Sequence, residues 1–155
     1  MKKAMLLLAG LLAGCYLSAQ TVDDYIELVR GQLKADKKTV VAEALQLTPA
    51  ESTVFWPIYN QYNNEMYVIQ DKRVALIKDF AANFNTMTPE KADELVLKMF
   101  TIKGELLKLD KSYYPKFKKV LPTVKVARYF QLENKIETLV NAKLALEIPL
   151  LEHQQ

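Results

Sequence analysis

Apolar side chains recur at alternating steps of four and three residues along two long segments of this chain. The first seam, meaning the line of side chains expected to face a partner helix, consists of Phe55, Tyr59, Tyr62, Met66, Ile69, Arg73, Leu76 and Phe80. The second consists of Ala92, Leu95, Met99, Ile102, Leu106, Leu109 and Tyr113. Such heptad spacing is typical of helices that pack side by side. Only Gly31 and Gly104 follow residue 20, and no run alternates as a strand would. The sequence therefore predicts an all-α fold.

Both segments begin with a Thr-Pro pair suited to start a helix. Thr48 is placed to cap the first, with Pro49 at its first position and Glu51 three residues after the cap, as in a capping box. Thr88 and Pro89 open the second in the same way. A later helix is predicted from "LPTVK", with Pro122 in its first turn, Pro149 as its stop, and an apolar side of Tyr129, Leu132, Ile136, Leu139 and Leu146. An earlier one carries Val22, Ile26, Val29 and Leu33 on one face, which gives a chain of four helices.

The short segment "NFNTMT" joins the two heptad segments, so we expect them to form an antiparallel helical hairpin. Within it, "FWPIY" and "YYPKF" each place a proline among aromatic residues. Pro57 and Pro115 both lie 29 residues from position 86, which puts them at the same level of the hairpin. Because a proline in a helix removes one hydrogen bond and pushes against the preceding turn, two at one level are expected to bend the hairpin and give it a concave face. The alternative is that each proline ends one helix and starts another.

The first twenty residues have the pattern of an export signal. Lys2 and Lys3 precede an apolar run of fourteen residues, 4–17, which small and polar residues follow. That run is shorter than the roughly 18 to 20 residues that span a bilayer. We therefore expect an exported, periplasmic protein with one domain over residues 21–155. Two cleavage sites fit: "LAGC" resembles a bacterial lipobox, in which Cys15 would carry a lipid anchor, and "LSAQ" resembles an ordinary signal-peptidase site.

Positive charge is concentrated in one stretch of the chain. Between Lys98 and Arg128 there are nine basic residues and only two acidic ones. These lysines either lie on solvated helix faces or form a basic surface that binds acidic partners. Because we expect the protein to be exported, nucleic acid is not an expected partner. Trp56 lies off the heptad seam, so it is the aromatic residue expected to face a partner or a second helix layer. The candidate partner-binding residues are Trp56, Tyr113, Tyr114, Lys116, Lys118, Lys119, Lys125 and Arg128.

No grouping of residues predicts catalysis, a metal site or a cofactor site. The only histidine, His153, lies in a polar tail, and no cysteine follows Cys15. A Ser–His or Cys–His pair and a zinc site therefore lack their components, and disulfides are not expected. There is also no glycine-rich phosphate loop. We expect a protein that is not an enzyme. Arg73, at an apolar seam position, is expected either to extend its charge into water or to fix the helix register.

The chain resembles the Spy/CpxP-like periplasmic family, in which Leu-Thr-x-x-Gln motifs open helices. Leu47 and Thr48 match the first motif, with Glu51 in place of the glutamine. Met87 and Thr88 match the second loosely, with Lys91 in the glutamine position. The segments "FWPIYNQY" and "LPTVKVARYFQLENKIE" are similar to those of exported proteins from Bacteroidetes-type bacteria, some of which are labelled as sensors associated with sigma factors.

The resemblance implies a curved helical hairpin, commonly dimeric. In the best-known members its concave face serves ATP-independent chaperone binding of polypeptide clients or restrains an envelope-stress sensor kinase. The first hypothesis is therefore a periplasmic chaperone. The second is a regulatory partner of an envelope-stress pathway that uses a sensor kinase or a sigma factor. A structural helical spacer is the third. The departures from glutamine leave these alternatives open.

Overall fold

A computed structural model describes residues 37–151 of the chain, and these are helical apart from short connections. Residues 37–45 form α1, followed by α2 (Pro49–Asn83), a single 3₁₀ turn (Phe84–Thr86), α3 (Pro89–Val120) and α4 (Thr123–Glu147). Among the described residues there is no strand, which confirms the all-α prediction. None of these helices is both long and apolar enough to cross a membrane. The predicted signal with Cys15, the apolar face from Val22 to Leu33, and His153 lie outside the described residues.

The Thr-Pro pairs start α2 and α3 as predicted. The Thr48 hydroxyl accepts a hydrogen bond from the Glu51 backbone N–H at 3.2 Å, and the Glu51 carboxylate accepts one from the Thr48 N–H at 2.7 Å. At α3 the Thr88 hydroxyl accepts from the Lys91 N–H at 3.2 Å. Lysine has no acceptor to complete a capping box there. The prediction for Pro122 was wrong by one position: it precedes the first turn of α4, and its carbonyl accepts from the Val126 N–H at 3.1 Å.

The two long helices pack against each other in opposite directions. Lys72 of α2 contacts Glu105 of α3, whereas Asp79, further along α2, contacts Lys91, further back along α3. Both helices belong to the second of two compact units, Val41–Gln155. Antiparallel packing of the two heptad segments therefore follows directly from these contacts.

Both helices continue through their prolines, so the alternative in which each proline separates two helices was wrong. The ring of Phe55, two residues before Pro57, lies 5.5 Å from the ring of Phe117, two residues after Pro115. On the other side, Tyr62 and Asp110 are five residues from their respective prolines and are joined by a hydrogen bond. The two prolines consequently lie at the same level of the helix pair.

A cluster of aromatic rings forms the core at this level. Phe55 and Phe117 both contact Tyr129 of α4, with ring centroids 5.6 Å and 4.8 Å apart. A third helix thus fills the space beside the prolines, and residues 41–45 of α1 add Val41 and Leu45 to the same cluster. The buried members are Val41, Leu45, Phe55, Tyr59, Tyr62, Leu109, Tyr113, Phe117, Leu121, Val126 and Tyr129.

The apolar side predicted for the second half of α4 was wrong. Leu139 and Leu146 are 72% and 87% exposed, whereas Val140 and Leu144 are half-buried. Asn141 of α4 accepts a hydrogen bond from Arg73 of α2, so the side of α4 that carries Asn141 lies toward α2. Successive residues of a helix are turned by about 100° around its axis. Leu139, two positions before Asn141, and Leu146, five positions after it, therefore point to other sides of α4 than Asn141 does.

Candidate functional site

Tyr113 does not lie on the surface that the sequence predicted. Its side chain is 1% exposed and packs against Tyr62, with the ring centroids 5.3 Å apart. Its hydroxyl donates a hydrogen bond to the carboxylate of Glu65 on α2. Burial, followed by this hydrogen bond, raises the pKa of Tyr113 to about 12. Tyr113 is therefore a core residue that joins α2 and α3, and we remove it from the candidate surface.

Lys125 is also occupied within its own chain. Its ammonium group donates to the Glu51 carboxylate at 2.7 Å and to the Gln46 carbonyl at 3.1 Å. The hydrogen bond from Lys125, followed by the one from the Thr48 backbone, lowers the pKa of Glu51. This contact joins the first turn of α4 to the capping box of α2. Lys125 thus connects the starts of two helices. It is not available to bind a partner, as the sequence had predicted it would be.

Trp56 is half-buried on the outside of the aromatic core. Its ring meets those of Phe55 and Tyr59 edge to face, at 5.0 Å and 5.1 Å. Trp56 packs partly against the core, which includes residues of α3 and α4. The ring contacts described are with residues of its own helix, so whether Trp56 faces a partner stays a prediction.

The remaining candidate residues form a group that we call the basic end. It comprises the half-exposed Tyr114 and the exposed cations Lys116, Lys118, Lys119 and Arg128. These residues lie on either side of the connection between α3 and α4. From position 111 to position 128 the chain contains six basic residues and no acidic one. The basic end therefore combines apolar surface with concentrated positive charge.

Some of the other lysines form ion pairs with carboxylates of the same chain. Lys72 pairs with Glu105 at 2.7 Å, and Lys91 pairs with Asp79 at 2.8 Å. Within residues 37–151, no carboxylate lies within 4.0 Å of any cation of the basic end. Their charges are thus not neutralised within the described part of the chain, and carboxylates of another molecule can pair with them.

Aromatic rings hold two of these lysines in place. The Lys116 ammonium lies 3.7 Å from the centre of the Tyr113 ring, and the Lys118 ammonium lies 5.4 Å from that of Tyr114. Such cation–π contacts contribute about 0.5–1 kcal/mol each at exposed sites. Lys118 and Lys119 also occupy the last turn of α3, where the helix dipole favours positive charge. The chain therefore stabilises this concentration of like charge without internal carboxylates.

Arg73 is half-buried and contacts α4. Its guanidinium donates to the Asn141 side-chain oxygen, and burial lowers its pKa. The contact joins α2 to α4, so it does not test the expectation that Arg73 fixes the register between α2 and α3.

Two polar contacts between α2 and α3 were not predicted. The Tyr62 hydroxyl donates to Asp110 at 2.6 Å, and Tyr113 donates to Glu65. Buried tyrosines usually find a partner for their hydroxyl, which was the only sequence signal for these contacts.

Three buried tyrosines predict loss of stability at alkaline pH. The pKa values of Tyr59, Tyr62 and Tyr129 are raised, in each case chiefly by burial. The unfolded phenols ionise near pH 10, while the folded ones stay neutral. Below that pH the three buried phenols therefore contribute in full to the stability of the folded chain. As the pH rises above it, we expect the free energy of unfolding to fall. Urea titrations at neutral and alkaline pH would measure this fall. Tyrosinate absorbance that reached its full value without any unfolding would contradict the expectation.

No three His, Cys, Asp or Glu side chains within residues 37–151 are grouped so that they could hold a metal ion. Comparison with known proteins gives no matching family model, no matching curated protein and no matching solved structure.

Proposed function

We propose that this chain is an exported, periplasmic helical protein that binds polypeptide clients without ATP, as a chaperone of the Spy/CpxP-like kind. The observation that carries the proposal is the basic end. Four exposed cations and an exposed aromatic residue lie close together in the sequence, Lys118 contacts the ring of Tyr114, and no carboxylate among the described residues neutralises the four charges. A partner that combines carboxylates with apolar side chains is complementary to such a surface.

The proposed binding proceeds in two steps that need no energy source. Lys116, Lys118 and Lys119 attract acidic segments of an unfolded chain from a distance, which raises the rate of encounter. Tyr114 and the accessible part of Trp56 then make weak apolar contacts. Weak contacts allow release and refolding without ATP. The bend expected at Pro57 and Pro115 would place a concave face beside these residues, and this bend is part of the proposal.

The proposal is tested by measuring how well the purified chain suppresses the aggregation of a denatured substrate at equimolar ratio. We expect suppression at low salt that weakens as ionic strength rises, because exposed charges are screened. The triple replacement Lys116→Glu, Lys118→Glu and Lys119→Glu is expected to reduce suppression at least tenfold.

A matched control changes net charge by the same amount elsewhere on the surface. Lys78→Glu, Lys135→Glu and Lys143→Glu alter exposed lysines of α2 and α4, and we expect suppression close to that of the unmodified chain. Circular dichroism establishes that both triple variants are folded. Equal losses in the two variants would show that net charge alone matters. Absence of suppression at every salt concentration would refute the chaperone proposal.

A further inference from the structure

One side of α3 carries a line of large apolar side chains that stay exposed. Leu97, Phe100 and Leu107 are 55%, 58% and 54% exposed. Because a helix turns by about 100° per residue, all three project from the same side of α3. The opposite side is buried within the chain through residues such as Leu95 and Ile102. Single exposed apolar residues are common on proteins, but a line of them on one helix marks a surface that binds something else.

Lysines border this apolar line on both sides. Measured around the helix axis from Phe100, Lys103 is turned by about 60° in one direction and Lys108 by about 80° in the other. Lys111 continues the line itself, one turn after Leu107. The three lysines are exposed, and no carboxylate among residues 37–151 lies within 4.0 Å of their ammonium groups. The resulting surface, which we call the outer face, consists of Leu97, Phe100, Lys103, Leu107, Lys108 and Lys111.

The acidic residues in this part of α3 do not offset the charge of the outer face. From position 97 to position 111 there are two of them, Glu105 and Asp110. Glu105 pairs with Lys72 at 2.7 Å, and Asp110 accepts a hydrogen bond from the Tyr62 hydroxyl at 2.6 Å. Both partners belong to α2, so both carboxylates lie toward α2. The charged groups of the outer face are therefore all positive.

We propose that the outer face binds the surface of a bilayer that contains anionic lipids, with α3 lying parallel to the membrane plane. Leucine and phenylalanine bordered by lysines are the pattern of helices that lie in the membrane interface. The apolar side chains enter the boundary between headgroups and acyl chains. The lysines extend along that boundary and place their ammonium groups among the lipid phosphates.

The distribution of charge favours a bilayer over a second protein. Positive charge on both flanks of the apolar line matches a surface that is negative in every direction. The side of a single helix is also convex, and a fluid lipid surface accommodates a convex ridge without having a complementary shape of its own.

The first test measures binding to lipid vesicles by co-sedimentation. The full chain is expressed with its own leader and with Cys15→Ser, so that a lipid on that residue cannot hold the protein on the vesicles. We expect binding to vesicles of equal parts phosphatidylglycerol and phosphatidylcholine, and much weaker binding to phosphatidylcholine alone. Replacing Lys103, Lys108 and Lys111 by Gln is expected to weaken binding about 100-fold, since each lysine close to an anionic surface contributes about fivefold.

A matched control removes the same number of charges from other helices. Lys78→Gln, Lys135→Gln and Lys143→Gln alter exposed lysines of α2 and α4. We expect this triple variant to bind the anionic vesicles within about twofold of the unmodified chain, because these lysines lie outside the outer face. Circular dichroism establishes that both triple variants are folded.

The second test distinguishes a bilayer from a protein partner. Gly104 lies between Phe100 and Leu107 on the same side of α3, and a Cβ atom added there would have no heavy atom of the described chain within 4 Å. Gly104→Leu therefore adds apolar area to the outer face, and we expect it to strengthen vesicle binding about three- to tenfold. A partner protein shaped to fit the gap at the glycine would instead be bound less tightly.

The third test places α3 in the membrane interface directly. A fluorophore is attached to Gly104→Cys in the Cys15→Ser chain, which has no other cysteine. Brominated acyl chains in the anionic vesicles are expected to quench it. The same fluorophore on Lys135→Cys of α4 is the control, and its quenching should be weak.

Three results would overturn the inference: equal binding to the anionic and the neutral vesicles, equal losses in the two lysine variants, or equal quenching of the two labels. Failure to bind vesicles at low salt would overturn it as well. The inference is independent of the proposed function, because the basic end, with Lys116, Lys118, Lys119 and Arg128, contributes no residue to the outer face. Suppression of aggregation by the chain can therefore hold or fail separately from vesicle binding.

Discussion

Phe117→Ala is expected to lower the free energy of unfolding by about 3–5 kcal/mol. The Phe117 side chain is 0% exposed, and its ring lies within 6.3 Å, centroid to centroid, of rings from three helices. Those rings are Phe55, Tyr62, Tyr113, Tyr129 and Phe130. Removing this ring would leave a cavity at the centre of the core, which rigid neighbouring rings can fill only in part. Urea denaturation followed by circular dichroism measures the change.

Tyr114→Ala, three residues earlier on the same helix, is the matched control. Tyr114 is 43% exposed, and it contacts the ring of Phe130 at 5.9 Å. We expect a loss below about 1.5 kcal/mol, since little of its contact area is buried on all sides. Comparable losses in the two variants would show that the aromatic core is not the main source of stability.

Pro57→Ala and Pro115→Ala are each expected to raise the free energy of unfolding by about 1–3 kcal/mol. A proline inside a helix lacks the N–H that would bond to the carbonyl four residues earlier, and its ring presses on the preceding turn. Both prolines are exposed, so alanine removes little buried contact. Urea denaturation measures each change. Pro49→Ala, at the first position of α2, should be nearly neutral because an N–H there has no partner in the helix.

The same proline variants test the expected bend. Small-angle scattering is expected to show a longer, straighter particle for the double variant, and client binding should weaken if a concave face is needed. A loss of stability in either single variant would contradict the expectation. It would mean that the core around Phe55 and Phe117 fits only a bent backbone.

The helix starts and the seams of α2 and α3 could be predicted because they depend on nearby residues. Thr48 and Glu51 contact each other within one turn, and buried residues such as Leu95 and Ile102 recur with the heptad. The rotation of α4 could not be predicted in this way. It depends on contacts with residues far away in the sequence, such as the one between Tyr129 and Phe55 and the one between Asn141 and Arg73, which are 68 residues apart.

The candidate partner-binding residues also divide into those that could be predicted from the sequence and those that could not. Exposure of Lys116, Lys118 and Lys119 followed from their positions off the seam. The roles of Lys125 and Tyr113 did not, because their partners Glu51 and Glu65 lie 74 and 48 residues away. A lysine with a distant internal carboxylate and one without look alike in a sequence, although only the second can attract another molecule.

The reciprocal tyrosine–carboxylate contacts between α2 and α3 have a consequence for how the hairpin chooses its alignment. A heptad pattern of apolar residues allows more than one alignment of two helices, because sliding one helix past the other by seven residues brings equivalent side chains together again. Such a slip would separate Tyr62 from Asp110 and Tyr113 from Glu65, leaving hydroxyl groups without acceptors at about 1–3 kcal/mol each. Apolar packing thus stabilises the helix pair in any of these alignments, and the hydroxyl groups of Tyr62 and Tyr113 favour the observed one.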